Sequence, residues 1–329
     1  MARNDRVYCI INPARKHHLK VWELVQHHCA ALGYPPPTRL TTTVEAPGGL
    51  QAEQALQAGA DTVIVAGGDG TVRNVGTILA HSGVALGIVP IGTANIFHLN
   101  AIGKDKRLDQ SVRTALMGTD TAIDTGKVQL EFATETLDDR FLVVVGVGRD
   151  ALSLGGVSPR LKRAIGPGAY FASGMPHIMR APLPMQVEVD GQRLDIDAAW
   201  SVLVGNCGVV PGGITILPEA NLQDGKLNLL HVAPRSVAGW LPVAWRGLRG
   251  SSRPTRGMID HEIEQVTIIP ELPAAAQIDG DVWSDVHRIT IAVDPAALII
   301  RGKAPHLHDA TGDRRRDQTP DSGLDQPER

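Results

Sequence analysis

The chain has 329 residues, of which 43% are hydrophobic and 20% are charged, so it is long enough for two domains that each bury a core. Its formal net charge of -3 excludes a global basic field that would hold it on nucleic acid or on an anionic membrane. Apolar runs fall short of the roughly 20 residues of a membrane span, and the first one is too brief for a signal peptide. We therefore expect a cytoplasmic protein whose contacts with phosphate or lipid are local.

Short β-rich runs alternate with longer helical patterns from residue 7 onward. Helices are predicted near 19–32, 49–58 and 71–80, between strands at VYCII, TRLTTT, DTVIVAG and VALGIVPI. Strands that alternate with helices of this length are typical of βαβ units in a parallel sheet. Residues 1–122 are therefore predicted to form an α/β domain.

The pattern changes after Asp124 to runs rich in Val, Ile and Leu that are separated by Gly, Pro and Asp turns. The pair Asp190-Gly191 between two alternating segments is typical of a tight β-hairpin. Residues 123–302 are thus predicted to form an antiparallel β-sandwich with a helical insert near 234–249. The polar segment 303–329 is predicted to be a disordered tail.

The third predicted strand ends in GGDGT, which leaves bare backbone around one acidic side chain. Gly67, Gly68 and Gly70 allow a ligand to approach backbone N–H groups, and the following helix points its positive end at the same place. This arrangement is typical of a phosphate-binding loop, although it contains neither GxGxxG nor the Gly-Lys-Ser/Thr of a P-loop. The alternative is a tight strand-to-helix turn that needs positive φ. Asp69 favours a functional loop, because an acid beside a phosphate is costly unless it holds Mg²⁺ or accepts a proton.

Two further polar loops follow other strands of the predicted sheet. The loop PIGTAN at 90–95 again places Gly-Thr before a helical pattern, and INPARK at 11–16 carries the cations Arg15 and Lys16. Carboxyl ends of parallel strands lie at one edge of a sheet, where open α/β sheets bind ligands. The three loops are therefore predicted to line one cleft.

These motifs resemble the lipid kinase family of diacylglycerol kinases, sphingosine kinases and their bacterial relatives. The similarity continues downstream in GVGRDA, LKRAIGPGAYF, VGN with PGG, LQDGKL and IDGD. GGDGT is also found in NAD kinases, but the downstream motifs favour the lipid branch. The resemblance implies an N-terminal α/β domain with a parallel sheet, as in NAD kinases and diacylglycerol kinases, and a C-terminal antiparallel β-sandwich.

The resemblance also implies an activity, its cofactors and its site. The activity is transfer of the γ-phosphoryl group of ATP to a lipid hydroxyl, with Mg²⁺, by a protein in peripheral contact with the membrane. Asp69, Asp279 and Asp281 are implied as catalytic carboxylates. The residues implied at the nucleotide are Asn12, Pro13, Ala14, Arg15, Lys16, Thr42, Gly67, Gly68, Gly70, Thr71, Asn74, Gly92, Thr93, Asn95, Lys162 and Arg163.

Several positions depart from the family pattern or allow two interpretations. Asp281 stands where the family has glutamate, and we expect it to share one face of a strand with Asp279, because residues two apart do so. Ile96 replaces an acid of the magnesium network of many bacterial relatives. Asp224, with backbone carbonyls at Asn221 and Lys226, is then the candidate for that ion, and a simple turn is the alternative. Asp150 is either a turn cap or a contact for the lipid head.

Two other functions remain open at this point. The first is a soluble kinase similar to NAD kinase, and the second is a non-catalytic protein of the same fold that binds nucleotide or lipid. The presence of Asp69 and Asp279 favours an enzyme over the second alternative. A homodimer is left open.

Overall fold

The protein is described by a computed structural model. The structure describes residues 5–103, 107–149, 151, 181–234, 236–251, 255 and 257–302. The predicted nucleotide contacts Lys162 and Arg163, the predicted lipid contact Asp150 and the predicted tail 303–329 lie outside these residues.

Helices of the described residues lie mainly in the first half of the chain, as predicted. They are α1 (His18–Leu32), α2 (Gly49–Gln57), α3 (Asp69–Leu79), α4 (Ile96–Ala101), α5 (Leu108–Met117) and α6 (Trp240–Arg249). The predicted insert near 234–249 is confirmed by α6 and by a 3-10 turn at Val237–Gly239. No helix in the described part of the chain has the length and hydropathy needed to cross a membrane.

Strands make up most of the remaining structure. They are β1 (Val7–Ile11), β2 (Thr38–Thr41), β3 (Thr62–Gly67), β4 (Ala85–Pro90), β5 (Thr119–Glu131), β6 (Thr136–Phe141), β7 (Val144–Gly148), β8 (Leu183–Val189), β9 (Gln192–Arg193), β10 (Ala198–Ala199), β11 (Ser201–Gly205), β12 (Val209–Val210), β13 (Ile214–Thr215), β14 (Leu227–Val232), β15 (Met258–Ile263), β16 (Gln265–Pro270), β17 (Ala274–Ile278), β18 (Asp281–Val286) and β19 (Arg288–Gly302). The predicted hairpin at Asp190-Gly191 is confirmed, because it joins β8 to β9 with both residues at positive φ.

The first four strands form the predicted parallel sheet, in the order β4-β3-β1-β2. β3 is buried along its whole length, as expected for a parallel strand that is covered on both faces. Helices α1 and α5 cover one face with Val25 and Leu116, while α2 and α3 cover the other with Ala55 and Val75. The four strands run in the same direction, so all of them end at one edge.

This parallel sheet continues into the second half of the chain. β19 pairs in parallel with β4 and antiparallel with β5 and β16, which gives one sheet of 11 strands among the described residues. The predicted boundary between residues 122 and 123 falls inside β5, and the domain ranges stay a prediction.

A second sheet confirms the predicted antiparallel sandwich. Its strand order is β15-β14-β11-β7-β17-β18, and all of its pairs are antiparallel. Its inner side chains Val145 and Val204 share one buried cluster with Val187 and Ile289 of the large sheet. This shared cluster is the core of the β-rich half.

Helix α3 lies where the parallel sheet meets the sandwich. A Cβ placed on Gly76 would stand 3.2 Å from the side chain of Leu142 and 3.3 Å from that of Leu298. α3 begins at Asp69, rather than at Thr71 as predicted. The helix therefore carries the GGDGT acid at the junction of the two halves.

Candidate active site

The loops after the four parallel strands lie side by side at the carboxyl edge. The backbone N–H of Asn12 donates to Ala66 O at 3.0 Å, and Thr42 N–H donates to Ile11 O at 3.0 Å. The backbone N–H of Ile91 donates to Gly67 O at 3.3 Å. The sequence predicted that polar loops would meet here, and these contacts bring them together.

The two glycine loops touch directly. A Cβ on Gly92 would stand 2.4 Å from the Cα of Gly68 and 2.6 Å from Asn95 Oδ1. A Cβ on Gly67 would stand 2.8 Å from the Cβ of Thr71. Gly68 has a φ of -103°, so the strand-to-helix turn does not require positive φ there, and that alternative explanation of the glycines is wrong. Gly92 lacks a side chain because the backbone of Gly68 lies close to it, and Gly67 lacks one because the Thr71 side chain occupies that space.

Several amide side chains of the predicted nucleotide site hold the loops themselves. Asn12 Oδ1 accepts the N–H of Ala14 at 3.0 Å, and Asn74 Nδ2 donates to Gly70 O at 2.7 Å. Asn95 accepts the N–H of Gly92 at 2.9 Å and donates back to its carbonyl at 3.2 Å. These contacts fix the shape of the bare backbone.

Cations lie beside the glycine loops. A Cβ on Gly68 would stand 3.5 Å from the Arg15 guanidinium. Next to it, an open pocket of about 390 Å³ is lined by Lys16, His17, Pro90, Ile91, Gly92, Arg107, Leu108 and Ser111. Thr42 and Thr71 are buried under the loops, whereas Pro13, Ala14 and Thr93 are exposed at them. The edge thus combines glycine backbone, which has no side chains, with positively charged side chains, and this combination suits an anionic ligand.

Asp69 joins the two glycine loops. Its carboxylate Oδ1 accepts the backbone N–H of Phe97, in the first turn of α4, at 3.1 Å. Burial raises the pKa of Asp69, and backbone N–H groups at Phe97, Ile96 and Asn95 act in the opposite direction. A negative charge near the start of a helix is favourable, so this contact steadies the loop at 90–95.

The predicted relation between Asp279 and Asp281 is wrong. We expected both side chains on one face of a strand, but Asp279 and Gly280 form the two-residue turn between β17 and β18, with φ angles of 48° and 94°. Ile278 pairs with Asp281 across this turn. Asp-Gly is a strong signal for such a turn, because both residues tolerate positive φ. The two carboxylates therefore make different contacts.

Asp279 binds the backbone at the start of β7. Its carboxylate accepts N–H groups from Leu142 at 2.9 Å, from Val143 at 3.0 Å and from Val144 at 2.8 Å. Burial raises the pKa of Asp279 to about 6, although these three donors act to lower it. The contacts give Asp279 a structural function that sequence reasoning did not foresee.

Asp281 is held by Arg73, a residue that sequence reasoning missed. The Arg73 guanidinium donates to Asp281 Oδ2 at 2.5 Å and to the carbonyl of Ile278 at 2.7 Å, and it lies 3.9 Å from Asp139. The Arg73 side chain is 8% exposed, while that of Asp281 is 64% exposed. Arg73 lies one turn after Asp69 on α3, so this contact holds the hairpin beside the glycine loop. The available signal in the sequence was an arginine within the apolar helix that follows GGDGT.

The predicted structural magnesium site has its own internal contacts. Asn221 Oδ1 accepts the N–H of Gln223 at 3.1 Å, and Asp224 Oδ1 accepts that of Lys226 at 3.0 Å. Burial raises the pKa of Asp224, and the charge of Asp124 adds to this effect. Among the described residues there is no group of three or more His, Cys, Asp or Glu side chains suited to a metal ion. The assignment of Asp224 with the carbonyls of Asn221 and Lys226 stays a prediction.

The junction nevertheless offers oxygen atoms of the kind that Mg²⁺ prefers. Asp281 is largely exposed, and its Oδ2 accepts a hydrogen bond from Arg73. Asp69 is half-buried at the glycine loop, with Oδ1 bound to Phe97. Mg²⁺ is commonly bound by one or two carboxylates together with substrate phosphates. Either carboxylate would fit that chemistry as a single ligand.

Comparison with known proteins links both halves of the chain to one family. The diacylglycerol kinase catalytic domain matches residues 6–128, and the YegS C-terminal NAD kinase beta sandwich-like domain matches residues 143–301. A protein of Pectobacterium atrosepticum named "Probable lipid kinase YegS-like" is 30% identical over 262 residues, which are 76% of this chain and 80% of that protein.

Solved structures show the same fold. A diacylglycerol kinase from Bacillus anthracis str. Sterne aligns with a TM-score of 0.65 at 18% identity, over 91% of this chain and 97% of that chain. Yeast NADH kinase complexed with NADH aligns with a TM-score of 0.51 at 13% identity, over 92% and 84%. At these identities the likeness concerns the fold alone. With the sequence matches of both halves, the chain belongs to the lipid kinase family of diacylglycerol kinases and YegS-like proteins.

Proposed function

We propose that this lipid kinase transfers the γ-phosphoryl group of ATP to the hydroxyl of a lipid, in a reaction that requires Mg²⁺. The observation that carries the proposal is the contact between Gly68 and Gly92 beside Arg15. Two loops of bare backbone meet there next to a guanidinium, at the carboxyl edge where α/β sheets bind ligands. Backbone N–H groups, the start of α3 and a cation together favour phosphate groups.

The polar residues divide into two groups. Arg15, Lys16 and the backbone at Gly68, Gly70 and Gly92 would receive the phosphates. Asp69 would hold Mg²⁺, which would neutralise the charge of the phosphate groups. Four other assigned nucleotide contacts, Asn12, Thr42, Asn74 and Asn95, would act by shaping the loops.

Asp281 is the best candidate for the general base. It is the exposed one of the three predicted catalytic carboxylates, and Arg73 fixes its orientation. A base must lie within hydrogen-bond reach of the hydroxyl that it deprotonates, so the position of the β17–β18 hairpin matters. Asp279, whose carboxylate is engaged by three backbone N–H groups, would then act as a positioning residue for the same hairpin.

The acceptor would be diacylglycerol or a related lipid that binds to the β-rich half. Diacylglycerol appears in the name of the matched catalytic domain and in that of the Bacillus anthracis protein. A soluble kinase acting on NAD is the second candidate, because yeast NADH kinase shares the fold. The family match of both halves favours the lipid.

Purified protein, ATP labelled on the γ-phosphate and Mg²⁺ provide the test. Diacylglycerol, monoacylglycerol, a sphingoid base, ceramide and phosphatidylglycerol would be offered in mixed micelles, and NAD in solution. We expect label in one extracted lipid, no label when EDTA is present, and loss of transfer in Asp69→Asn, which keeps the shape of the side chain. Labelled NAD without labelled lipid, or transfer by Asp69→Asn at the wild-type rate, would overturn the assignment.

A further inference from the structure

Helix α6 presents an apolar face to solvent. Leu241 is 72% exposed and Trp245 is 58% exposed, and residues four apart lie on the same face of a helix. The adjacent Arg246 is buried, and its guanidinium pairs with Asp260 at 2.7 Å. A surface helix ordinarily buries its apolar side chains and exposes its charged ones. The polarity of α6 is therefore reversed at these positions.

A cation lies on the same face. Arg249 follows Trp245 by one turn, is exposed, and places its guanidinium carbon 4.2 Å from the centroid of the Trp245 ring. Tryptophan is enriched at the headgroup level of membranes, and arginine pairs well with phosphate. The face is thus complementary in polarity and in charge to the surface of a bilayer that contains anionic lipid.

The face is carried by a firmly packed helix. The ring of Trp240 packs edge-on against that of Trp200, with centroids 4.7 Å apart. A Cβ on Gly247 would stand 3.2 Å from the side chain of Ile214, so α6 lies close against β13. Leu241 and Trp245 are therefore exposed on a helix that is packed against the rest of the protein.

A short series of contacts connects α6 to the candidate active site. β13 pairs with β12, and Asn100 of α4 both donates to and accepts from the backbone of Val209 in β12, at 2.8 and 2.9 Å. The first turn of α4 donates to Asp69 through Phe97. A bilayer that contacts α6 would therefore be held at a fixed distance from the glycine loops. The hydroxyl of a membrane lipid lies at headgroup level, which is where that contact would form.

We propose that Leu241, Trp245 and Arg249 form a docking surface for a bilayer that contains anionic phospholipid. The proposal rests on the proposed function, since it supplies the route by which a lipid acceptor reaches the site. The apolar side chains enter the boundary between headgroups and acyl chains, and Arg249 pairs with a lipid phosphate.

Vesicle binding tests the surface itself. The full chain would be sedimented with vesicles of phosphatidylcholine alone and of phosphatidylcholine with phosphatidylglycerol. We expect Leu241→Gln combined with Trp245→Gln to weaken binding at least about tenfold, because two apolar side chains leave the bilayer. Arg249→Gln should weaken binding about fivefold, and only on the anionic vesicles. Leu272→Gln is the matched control, because Leu272 is 79% exposed outside α6 and should leave binding unchanged.

A second measurement separates this proposal from the proposed function. The double variant should phosphorylate a short-chain lipid in solution at the wild-type rate, but a long-chain lipid in vesicles at least about tenfold more slowly. If no lipid is phosphorylated by any form, the vesicle-binding result still decides the docking surface. Equal vesicle binding by wild type and double variant overturns the proposal. So does a change from dimer to monomer, measured by light scattering, with vesicle binding unaffected, since the face would then bind a second copy of the chain.

Discussion

Replacement of Arg73 by methionine would remove the hydrogen bonds that join helix α3 to the β17–β18 hairpin, which carries Asp281. Methionine keeps an unbranched apolar stem in the buried space but removes every N–H donor of the guanidinium. The carbonyl of Ile278 loses its 2.7 Å partner, and Asp281 loses its 2.5 Å partner. The contact between Arg73 and Asp139 at 3.9 Å is lost as well.

The two hydrogen bonds contribute unequally to stability. The bond to Ile278 is buried, and removing a charged donor from a buried acceptor costs about 1.5 to 3 kcal/mol. Asp281 is 64% exposed, so solvent screening limits its ion pair to about 1 kcal/mol or less. We therefore expect Arg73→Met to lower the free energy of unfolding by about 2 to 3 kcal/mol.

The effect on turnover should exceed what this loss of stability explains. If Asp281 is the base, a displacement of the hairpin by about 1 Å would lower kcat about a hundredfold. Urea denaturation would give the free energy of unfolding, and kcat would be measured at saturating ATP, Mg²⁺ and lipid. Because Arg73 would act through Asp281, the variant that combines Arg73→Met with Asp281→Asn should be no slower than Asp281→Asn alone.

Arg301 provides the matched control. It is also a buried arginine, paired with Asp5 at 2.9 Å and with Asp120 at 2.7 Å, but it lies on β19 and away from the hairpin. Arg301→Met should lower stability by at least as much, because Arg301 also donates to Thr62 Oγ1 and to the carbonyl of Leu116, and it should leave kcat unchanged in the folded fraction. If Arg73→Met lowers kcat no more than Arg301→Met does, Arg73 has no positioning function and the reasoning is refuted.

Three further predictions concern the turn, the glycine loops and the base. Asp279→Asn offers one acceptor oxygen to three N–H donors, so it should lower the free energy of unfolding by about 1 to 3 kcal/mol in urea denaturation, and an unchanged value would contradict the structural function. A Cβ on Gly70 would meet no heavy atom of the described residues within 4 Å, so Gly70→Ala should keep the melting temperature but weaken binding of a non-hydrolysable ATP analogue in calorimetry. Gly92→Ala should lower both the melting temperature and the affinity for the analogue, because its Cβ would stand 2.4 Å from the Cα of Gly68. If both variants bind the analogue as tightly as wild type does, the glycine loops do not bind the phosphates. Asp281→Asn should lower kcat about 10² to 10⁴-fold with little change in the KM for ATP, while Asp281→Glu retains activity; turnover of Asp281→Asn within about twofold of wild type would exclude Asp281 as the base.

Local patterns predicted most of the fold. Alternation between β-rich runs and helical periodicity gave the parallel strands and α1 to α3, and Asp190-Gly191 gave a hairpin. The meeting of the glycine loops followed from the rule that parallel strands end at one edge. These features depend on neighbours in sequence or on a general rule of topology, and both can be read from one chain.

Contacts between distant residues could not be predicted in this way. Arg73 and Asp281 are 208 positions apart, and Asp279 accepts hydrogen bonds from amides that are 135 to 137 positions away. The resemblance directed attention to Asp279 and Asp281 as a pair of acids, although the Asp-Gly turn signal was present at Asp279 as it was at Asp190. The continuous sheet was also missed, because nothing near β4 in sequence indicates that β19 is its neighbour.

The position of β19 affects the order in which parts of the protein can fold during synthesis. Ile300 and Arg301 pair with Leu86 and Gly87, so the outer edge of β4 is covered by a segment that leaves the ribosome long after β4 itself. Until then, an edge with free N–H and C=O groups is exposed to pairing with other chains. Folding of the N-terminal α/β half during synthesis is therefore completed by β19, which comes from the C-terminal half, rather than by the N-terminal half's own residues.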